Sequence, residues 1–178
     1  MSFLLSACSS SDKDFIIKKE LEMLDTLESR LAVVEQKLDI DYPEIKERIE
    51  EMSIDIMKMR TTEKTFPMDL SSKMMVYSKI KEEYENFYEP FKYAKEESSD
   101  LNVQLITLRG SVLKQEFGKE KFKEYYNNEK MALSKLEDYI SKYIQPVLDM
   151  EMEYRRIQKR IDDFLYGDEI EAIKQNGK

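Results

Sequence analysis

Few types of side chain in this sequence could perform chemistry, and the carboxylates are the most numerous of them. The 178-residue chain contains no His, which removes the commonest general base, the Ser/His and Cys/His nucleophile pairs and the usual transition-metal ligand. Acidic residues are dense at 82–83 and 162–163, but neighbours on a helix point about 100° apart. We interpret these clusters as solvated helix faces. The sequence therefore predicts no catalytic residue, no metal site and no cofactor, and it does not predict an enzyme.

Composition limits the fold class and the partners. The chain has only 4 Gly and 4 Pro and is rich in helix-forming residues, which is typical of an all-α fold. Its net charge of -8 argues against a nucleic-acid partner, because such a partner would need a basic patch on the protein. We therefore predict one elongated helical protein that does not bind nucleic acid.

Cys8 is the only cysteine and ends the segment Leu5-Ser6-Ala7-Cys8. This segment resembles the lipobox of bacterial lipoproteins, in which a signal peptide is cut before the cysteine and the cysteine is acylated. The resemblance implies a membrane anchor at Cys8, and several acyl chains at about 0.8 kcal/mol per buried CH₂ would make that anchor stable. By the same resemblance, Ser9 directly after the cysteine implies the outer membrane of the cell envelope.

The segment before Cys8 is shorter than a typical signal peptide. A full signal has a basic start and about 7 to 15 apolar residues, whereas only Phe3, Leu4 and Leu5 precede the box. Either more of the signal lies upstream or the match is a coincidence. We interpret residues 1–13 as the remainder of a signal and lipobox followed by a polar tether.

The largest pattern is a heptad repeat of apolar residues from Tyr77 to Phe164, which predicts a coiled-coil-like seam. Its members before the gap are Tyr77, Ile80, Tyr84, Phe87, Phe91, Ala94, Ser98, Leu101, Leu105, Leu108 and Val112. Those after the gap are Phe122, Tyr126, Glu129, Leu133, Leu136, Ile140, Tyr143, Val147, Met150, Tyr154, Ile157, Ile161 and Phe164. The gap holds Gly118, so we predict a long antiparallel hairpin over residues 70–166 with its turn near 118.

The rest of the chain predicts a second, shorter hairpin. Apolar residues at helical spacing favour two helices within residues 14–60, and Asp41, Pro43 and Glu44 predict the start of the second one. We expect residues 61–69 to form a connector, Gly167 to end the last helix and residues 167–178 to form a C-terminal tail. These antiparallel coiled-coil-like hairpins would give a partial four-helix bundle with a projecting two-helix arm.

Two prolines, Pro90 and Pro146, lie equally far from Gly118 and predict kinks at one level of the long hairpin. Aromatic residues concentrate at that level. A kink beside large rings could open an apolar ligand pocket, or the rings could simply fill the core. The residues of this possible pocket are Tyr84, Phe87, Phe91, Tyr139 and Tyr143.

A second resemblance covers residues 100–129. Gln104-Leu105 and Leu108-Arg109, followed by a turn and then Tyr126 and Glu129, are similar to a pattern in small helical lipoproteins of the bacterial envelope. The resemblance implies a hairpin and an envelope location, and it implies no activity.

Taken together, these features predict a lipid-anchored envelope protein that binds or spaces a protein partner without catalysis. Cys8 would fix one end to the membrane, and the turn near 118 would carry a contact site some distance away. We expect the partner to touch Phe117, Phe122 and Tyr125. A periplasmic carrier of a small ligand or lipid and a cytosolic coiled-coil adaptor are the alternatives. The oligomeric state stays open, because a seam within one chain and a seam between chains look alike in sequence.

Overall fold

The computed structural model describes the backbone of residues 9–176 and the side chains of residues 14–167. Within that range no strand occurs, so the predicted all-α fold is confirmed. The helices are α1 Ser9–Lys37, α2 Tyr42–Thr61, α3 Met68–Glu85, α4 Tyr88–Leu113, α5 Lys119–Tyr143, α6 Gln145–Asp149 and α7 Glu151–Asn176.

The start of α2 follows the predicted capping signal. The carboxylate of Asp41 accepts a hydrogen bond of 3.3 Å from the backbone N–H of Glu44. Pro43 lies in the first turn, where its missing N–H leaves no helical hydrogen bond unmade. The predicted cap of α2 is therefore confirmed.

The start of α1 differs from the expected irregular tether. α1 begins at Ser9, so residues 9–13 are helical. Serine and aspartate are favoured at helix starts because they satisfy unpaired N–H groups and complement the helix dipole. Residues 9–13 of the predicted polar tether are thus the first part of a helix.

Both predicted long helices are interrupted near their prolines. α3 ends at Glu85 and α4 begins at Tyr88, with Pro90 in its first turn. α5 ends at Tyr143, and the short helix α6 has Pro146 in its first turn. A proline in a first turn breaks no helical hydrogen bond, whereas one in a helix interior removes a bond and clashes with the preceding turn. The two continuous helices of the prediction are therefore corrected to α3 with α4 and α5 with α6 and α7.

The last helix also ends later than predicted. α7 continues through Gly167 to Asn176, so Gly167 does not terminate it. Glycine inside a helix costs about 1 kcal/mol relative to alanine, which neighbouring turns can outweigh. The residues expected to form a C-terminal tail are helical as far as Asn176.

The predicted heptad seam is buried along most of its length. All its members from Tyr77 to Val112 are buried, as are most of those between Phe122 and Ile161. Tyr143 is an exception, because 41% of its surface is exposed while the next residue, Ile144, is fully buried. The break between α5 and α6 changes the helical phase at that point. Coiled-coil hairpins, a partial four-helix bundle and a projecting arm remain predictions.

The helices form two compact units, and the first combines α1 with Lys92–Ile140. Its core comes from three helices, which are α1, α4 and α5. The buried leucines of this core include Leu24, Leu27, Leu31, Leu101, Leu105, Leu108, Leu133 and Leu136.

The second unit combines Ile40–Phe91 with the residues from Ser141 onward. In it α2 packs against α3 and α7, and α6 contacts both α3 and α7. Its core includes Met52, Met59, Leu70, Ile157 and Ile161. The predicted short hairpin over residues 14–60 is divided, since α1 belongs to the first unit and α2 to the second.

Candidate functional site

The turn between α4 and α5 in the first unit is fixed by backbone hydrogen bonds rather than by its glycine. Gln115 adopts a left-handed backbone with φ of 56°. The N–H of Glu116 bonds to the carbonyl of Ser111, and the N–H of Gln115 bonds to the carbonyl of Val112, both at 3.0 Å. This pair of bonds is the Schellman motif, in which the left-handed position is usually glycine. Gly118 instead offers its carbonyl to the first turn of α5, accepting at 3.1 Å from the N–H of Phe122.

An open depression of about 500 Å³ lies beside this turn, between α4 and α5. Its apolar part contains the rings of Phe117 and Tyr125, which meet edge to face with centroids 5.5 Å apart. Its remaining lining residues are Gln104, Thr107, Leu108, Ser111, Glu116, Lys121 and Glu129. The structure thus brings together two of the three aromatic residues that the sequence predicted for partner contact.

Phe122, the third of those residues, lies elsewhere. Only 2% of its surface is exposed, and its ring stacks on Tyr126 with centroids 5.8 Å apart. Phe122 occupies a seam position of α5, so its side chain points into the core of the first unit. Phe117 and Tyr125 are only half-buried. Partner contact at each of the three residues stays a prediction.

The polar rim of the depression carries both signs of charge. Lys121 lies over the ring of Tyr125, with its ammonium 5.6 Å from the centroid. The carboxylate of Glu116 accepts a hydrogen bond from the Ser111 hydroxyl at 2.5 Å. Burial raises the pKa of the Glu129 carboxyl above its usual range. Such a mixed rim around apolar rings suits recognition of another protein surface.

Glu129 also lines this site, although the sequence pattern placed it only in the seam and in the pattern over residues 100–129. It occupies a seam position of the heptad, where an apolar residue is normal. A charged residue at such a position indicates either a polar contact inside the core or an opening in it. Here the opening is the depression that Glu129 lines.

Two arginines form hydrogen bonds between α1 and the helices that line the depression, α4 and α5. Arg109 on α4 donates two hydrogen bonds of 2.7 Å to the carboxylate of Glu28, and it also contacts Asp25. Arg30 donates at 3.0 Å to Glu137 on α5 and at 3.1 Å to the hydroxyl of Ser134. The ion pairs raise the pKa of both guanidinium groups and keep them charged.

These contacts define the direction of α1 within the first unit. Arg30 lies beside Glu137, while Phe15 and Met23 share a surface groove with Lys119 and Asn127. Residue numbers thus rise together along α1 and α5, so the two helices are parallel. The beginning of α1 consequently lies at the same end of the unit as the α4–α5 turn.

The second unit contains a buried polar network centred on Asp55 of α2, whose surface is only 4% exposed. Its carboxylate accepts hydrogen bonds from Tyr77 at 3.2 Å, from the amide of Gln158 at 2.9 Å and from Tyr166 at 3.2 Å. Burial, and next the negative charge of Asp55, raise the pKa of the Tyr77 hydroxyl. The network joins α2, α3 and α7, and its role is structural because its centre is closed to solvent.

The aromatic residues predicted to line a ligand pocket occupy several environments. Tyr84 and Phe87 are almost fully buried, and Phe87 stacks on Phe91 with centroids 5.4 Å apart. Burial raises the pKa of Tyr84 to about 12, and its hydroxyl donates to Glu151 at 3.3 Å. Tyr139 packs against Tyr93, and Tyr143 is exposed. These rings fill space within their own units, and a ligand pocket among them stays a prediction.

The proposed lipidation site, Cys8, lies outside the described residues. Within the part of the chain that the structure describes, no group of three or more acidic, His or Cys side chains could hold a metal ion. No described helix is both long enough and apolar enough to cross a membrane. The chain matches no protein-family model, and neither a curated protein nor a solved structure is significantly similar to it.

Proposed function

We propose that this protein is a lipid-anchored component of the bacterial cell envelope that binds a protein partner without catalysing a reaction. Acylated Cys8 would hold it at the outer membrane. The observation that carries the binding role is the depression between α4 and α5, where Phe117 and Tyr125 present a half-buried aromatic surface.

The depression has the composition of a protein contact. Its centre offers apolar surface from Leu108 and two rings, and its edge offers amide, hydroxyl and charged groups. Aromatic residues surrounded by a polar rim account for much of the binding energy in many interfaces. The Schellman turn and the buried helix faces hold these groups in place before a partner arrives, which reduces the ordering cost of binding.

The direction of α1 changes the mechanism expected from the sequence. The sequence suggested that the turn near Gly118 would reach away from the anchor. Yet Ser9 begins α1 directly after Cys8, and Phe15 shares a groove with Lys119 and Phe122. The turn therefore lies near the start of α1, and this supports a partner contact close to the membrane rather than distant from it.

Site-specific photo-crosslinking in cells tests this proposal. A photoreactive phenylalanine analogue at Tyr125 should form a covalent adduct with one defined partner, because its ring lines the depression. The same analogue at Val103, an exposed position on α4 of the same unit, provides the matched control. The adduct should disappear in Cys8→Ser, since that protein would no longer reach the envelope.

Two results would contradict the proposal. Equal adducts at positions 125 and 103 would show that the depression has no special role. An adduct that persists in Cys8→Ser would favour the cytosolic adaptor instead.

A further inference from the structure

The first unit has a second surface, separate from the depression, that combines apolar residues with lysines. α1 and the start of α5 form a groove of about 370 Å³. Its apolar residues are Phe15, Ile16, Met23, Phe122 and Tyr126, and its lysines are Lys19, Lys119 and Lys123. We infer that this groove and its rim rest on the surface of an anionic lipid bilayer.

Two of the groove's apolar residues, both on α1, are unusually accessible for their type. Phe15 exposes 70% of its surface and Ile16 exposes 41%, although both are large hydrophobic side chains. A helix that lies on a bilayer inserts such side chains at the boundary between headgroups and acyl chains. Removal of these rings and methyl groups from water provides the apolar part of the binding energy.

The charges around the groove are complementary to an anionic surface. Three lysines, Lys19, Lys119 and Lys123, line it together with a single acidic residue, Glu20. Burial raises the pKa of the Glu20 carboxyl, while the nearby Lys119 acts in the opposite direction. The excess of positive charge among these lining residues contrasts with the net charge of -8 of the whole chain. Long lysine side chains can reach lipid phosphates while their stems remain on apolar surface.

The position of the groove agrees with this occupant. It contains the early part of α1, the helix that begins directly after Cys8. An acyl chain on Cys8 would bring this surface to the bilayer at a high effective concentration. The inference extends the proposed anchoring, but it does not require acylation, because the groove should bind anionic lipid by itself.

Vesicle co-sedimentation of the unacylated full chain tests the inference separately from the anchor. The Cys8→Ser protein is mixed with vesicles of phosphatidylcholine alone or with about one third phosphatidylglycerol. We expect binding to the anionic vesicles, weakened by salt, and little binding to the neutral ones. Lys119→Glu with Lys123→Glu should reduce the binding roughly tenfold or more.

Matched variants distinguish an effect of the groove from a general effect of changed charge or lost apolar surface. Lys130→Glu with Lys135→Glu changes the charge of the same helix by the same amount, away from the groove, and should retain most of the binding. Phe15→Ser with Ile16→Ser should also weaken binding roughly tenfold. Val103→Ser with Ile106→Ser replaces two exposed hydrophobic side chains on α4 and should leave binding to the vesicles unchanged. Circular dichroism confirms that each variant keeps its helices.

Three outcomes would overturn the inference. The first is an absence of binding to anionic vesicles. The second is an equal loss of binding in the groove variants and their controls. The third is a concentration-dependent dimer that only the groove variants abolish, which would assign the surface to a second copy of the chain. None of these outcomes bears on acylation of Cys8, so failure here leaves the proposed anchor intact.

Discussion

The guanidinium of Arg109 on α4 donates two hydrogen bonds of 2.7 Å to the carboxylate of Glu28 on α1. The two residues are 81 positions apart in the chain. Their contact determines where α1 lies along the α4 and α5 helices. It thereby puts the beginning of α1 beside the turn that carries the candidate site.

The Arg109–Glu28 pair should contribute measurably to stability. We expect Arg109→Gln to lower the free energy of unfolding by about 1 kcal/mol. An ion pair joined by two hydrogen bonds stabilises a protein more than the usual surface ion pair does. A double-mutant cycle with Glu28→Gln, measured by urea unfolding, should give a coupling energy of similar size.

The exposed pair Lys92 and Glu96 on α4, at 4.0 Å, is the control for that cycle. Its coupling energy should be close to zero because both side chains are solvated and their charged atoms are 4.0 Å apart. Equal coupling energies for the two pairs would argue against a special role of Arg109 in positioning α1.

The left-handed backbone of Gln115 gives a second prediction. Gln115→Gly should raise the free energy of unfolding by about 1 kcal/mol, because glycine adopts this conformation without steric cost. Gly118→Ala should be nearly neutral, since Gly118 has no positive φ and an added Cβ would meet no atom within 4 Å. Thermal unfolding of both variants measures these changes in stability. The opposite order would mean that Gly118, not Gln115, controls the turn.

Tyr77 and Asp55 should stabilise the second unit. Removing the hydroxyl in Tyr77→Phe should cost about 2 kcal/mol, because a buried carboxylate loses a donor. Asp55→Ala should cost about 3 kcal/mol, since it leaves several buried polar groups unpaired. Tyr93→Phe, at an exposed ring, is the control and should change stability by less than about 0.5 kcal/mol. A Tyr77→Phe protein as stable as the original would refute the network's structural importance.

Glu129 should make stability depend on pH in a defined direction. Burial raises the pKa of its carboxyl in the folded state, so the folded protein holds the proton more strongly than the unfolded chain. Protonation therefore favours folding, and this contribution is lost as the pH rises from the ordinary pKa of the unfolded chain through the raised folded-state pKa.

Glu129→Gln should accordingly stabilise the protein at neutral pH, by less than about 1 kcal/mol because the group is largely solvated. The gain should vanish as the pH falls through the folded-state pKa, where the original side chain becomes neutral too. Glu124→Gln at an exposed position of α5 controls for the change in net charge. A gain that persists unchanged at low pH would contradict this cause.

Local patterns in the sequence predicted much of the fold. The heptad spacing identified the buried face because the helical period places residues three and four apart on one side. Asp41 identified the start of α2 because its hydrogen bond spans only three residues. The pairing of α1 with α4 and α5 could not be predicted in this way, since it depends on distant contacts such as Arg30 with Glu137.

Part of the candidate site could be predicted because it too depends on a local pattern, and the rest depends on contacts between distant residues. Phe117 and Tyr125 were identified as aromatic residues next to a turn, and the structure puts them together. Phe122 was predicted for the same contact, and the structure buries it in the core at its seam position. Partner contact at these residues stays a prediction. Glu129 was not assigned to the site, because the sequence shows a charged residue at a seam position but does not show the depression that this residue lines.

The central claim, that Cys8 anchors this protein, is tested most directly by metabolic labelling with a clickable fatty acid. The protein would be expressed from its own gene together with the DNA that precedes the codon for Met1, and compared with Cys8→Ser. We predict that the wild-type protein carries the label and that Cys8→Ser does not. No label on the wild-type protein, or equal label on both, would contradict the proposed anchor.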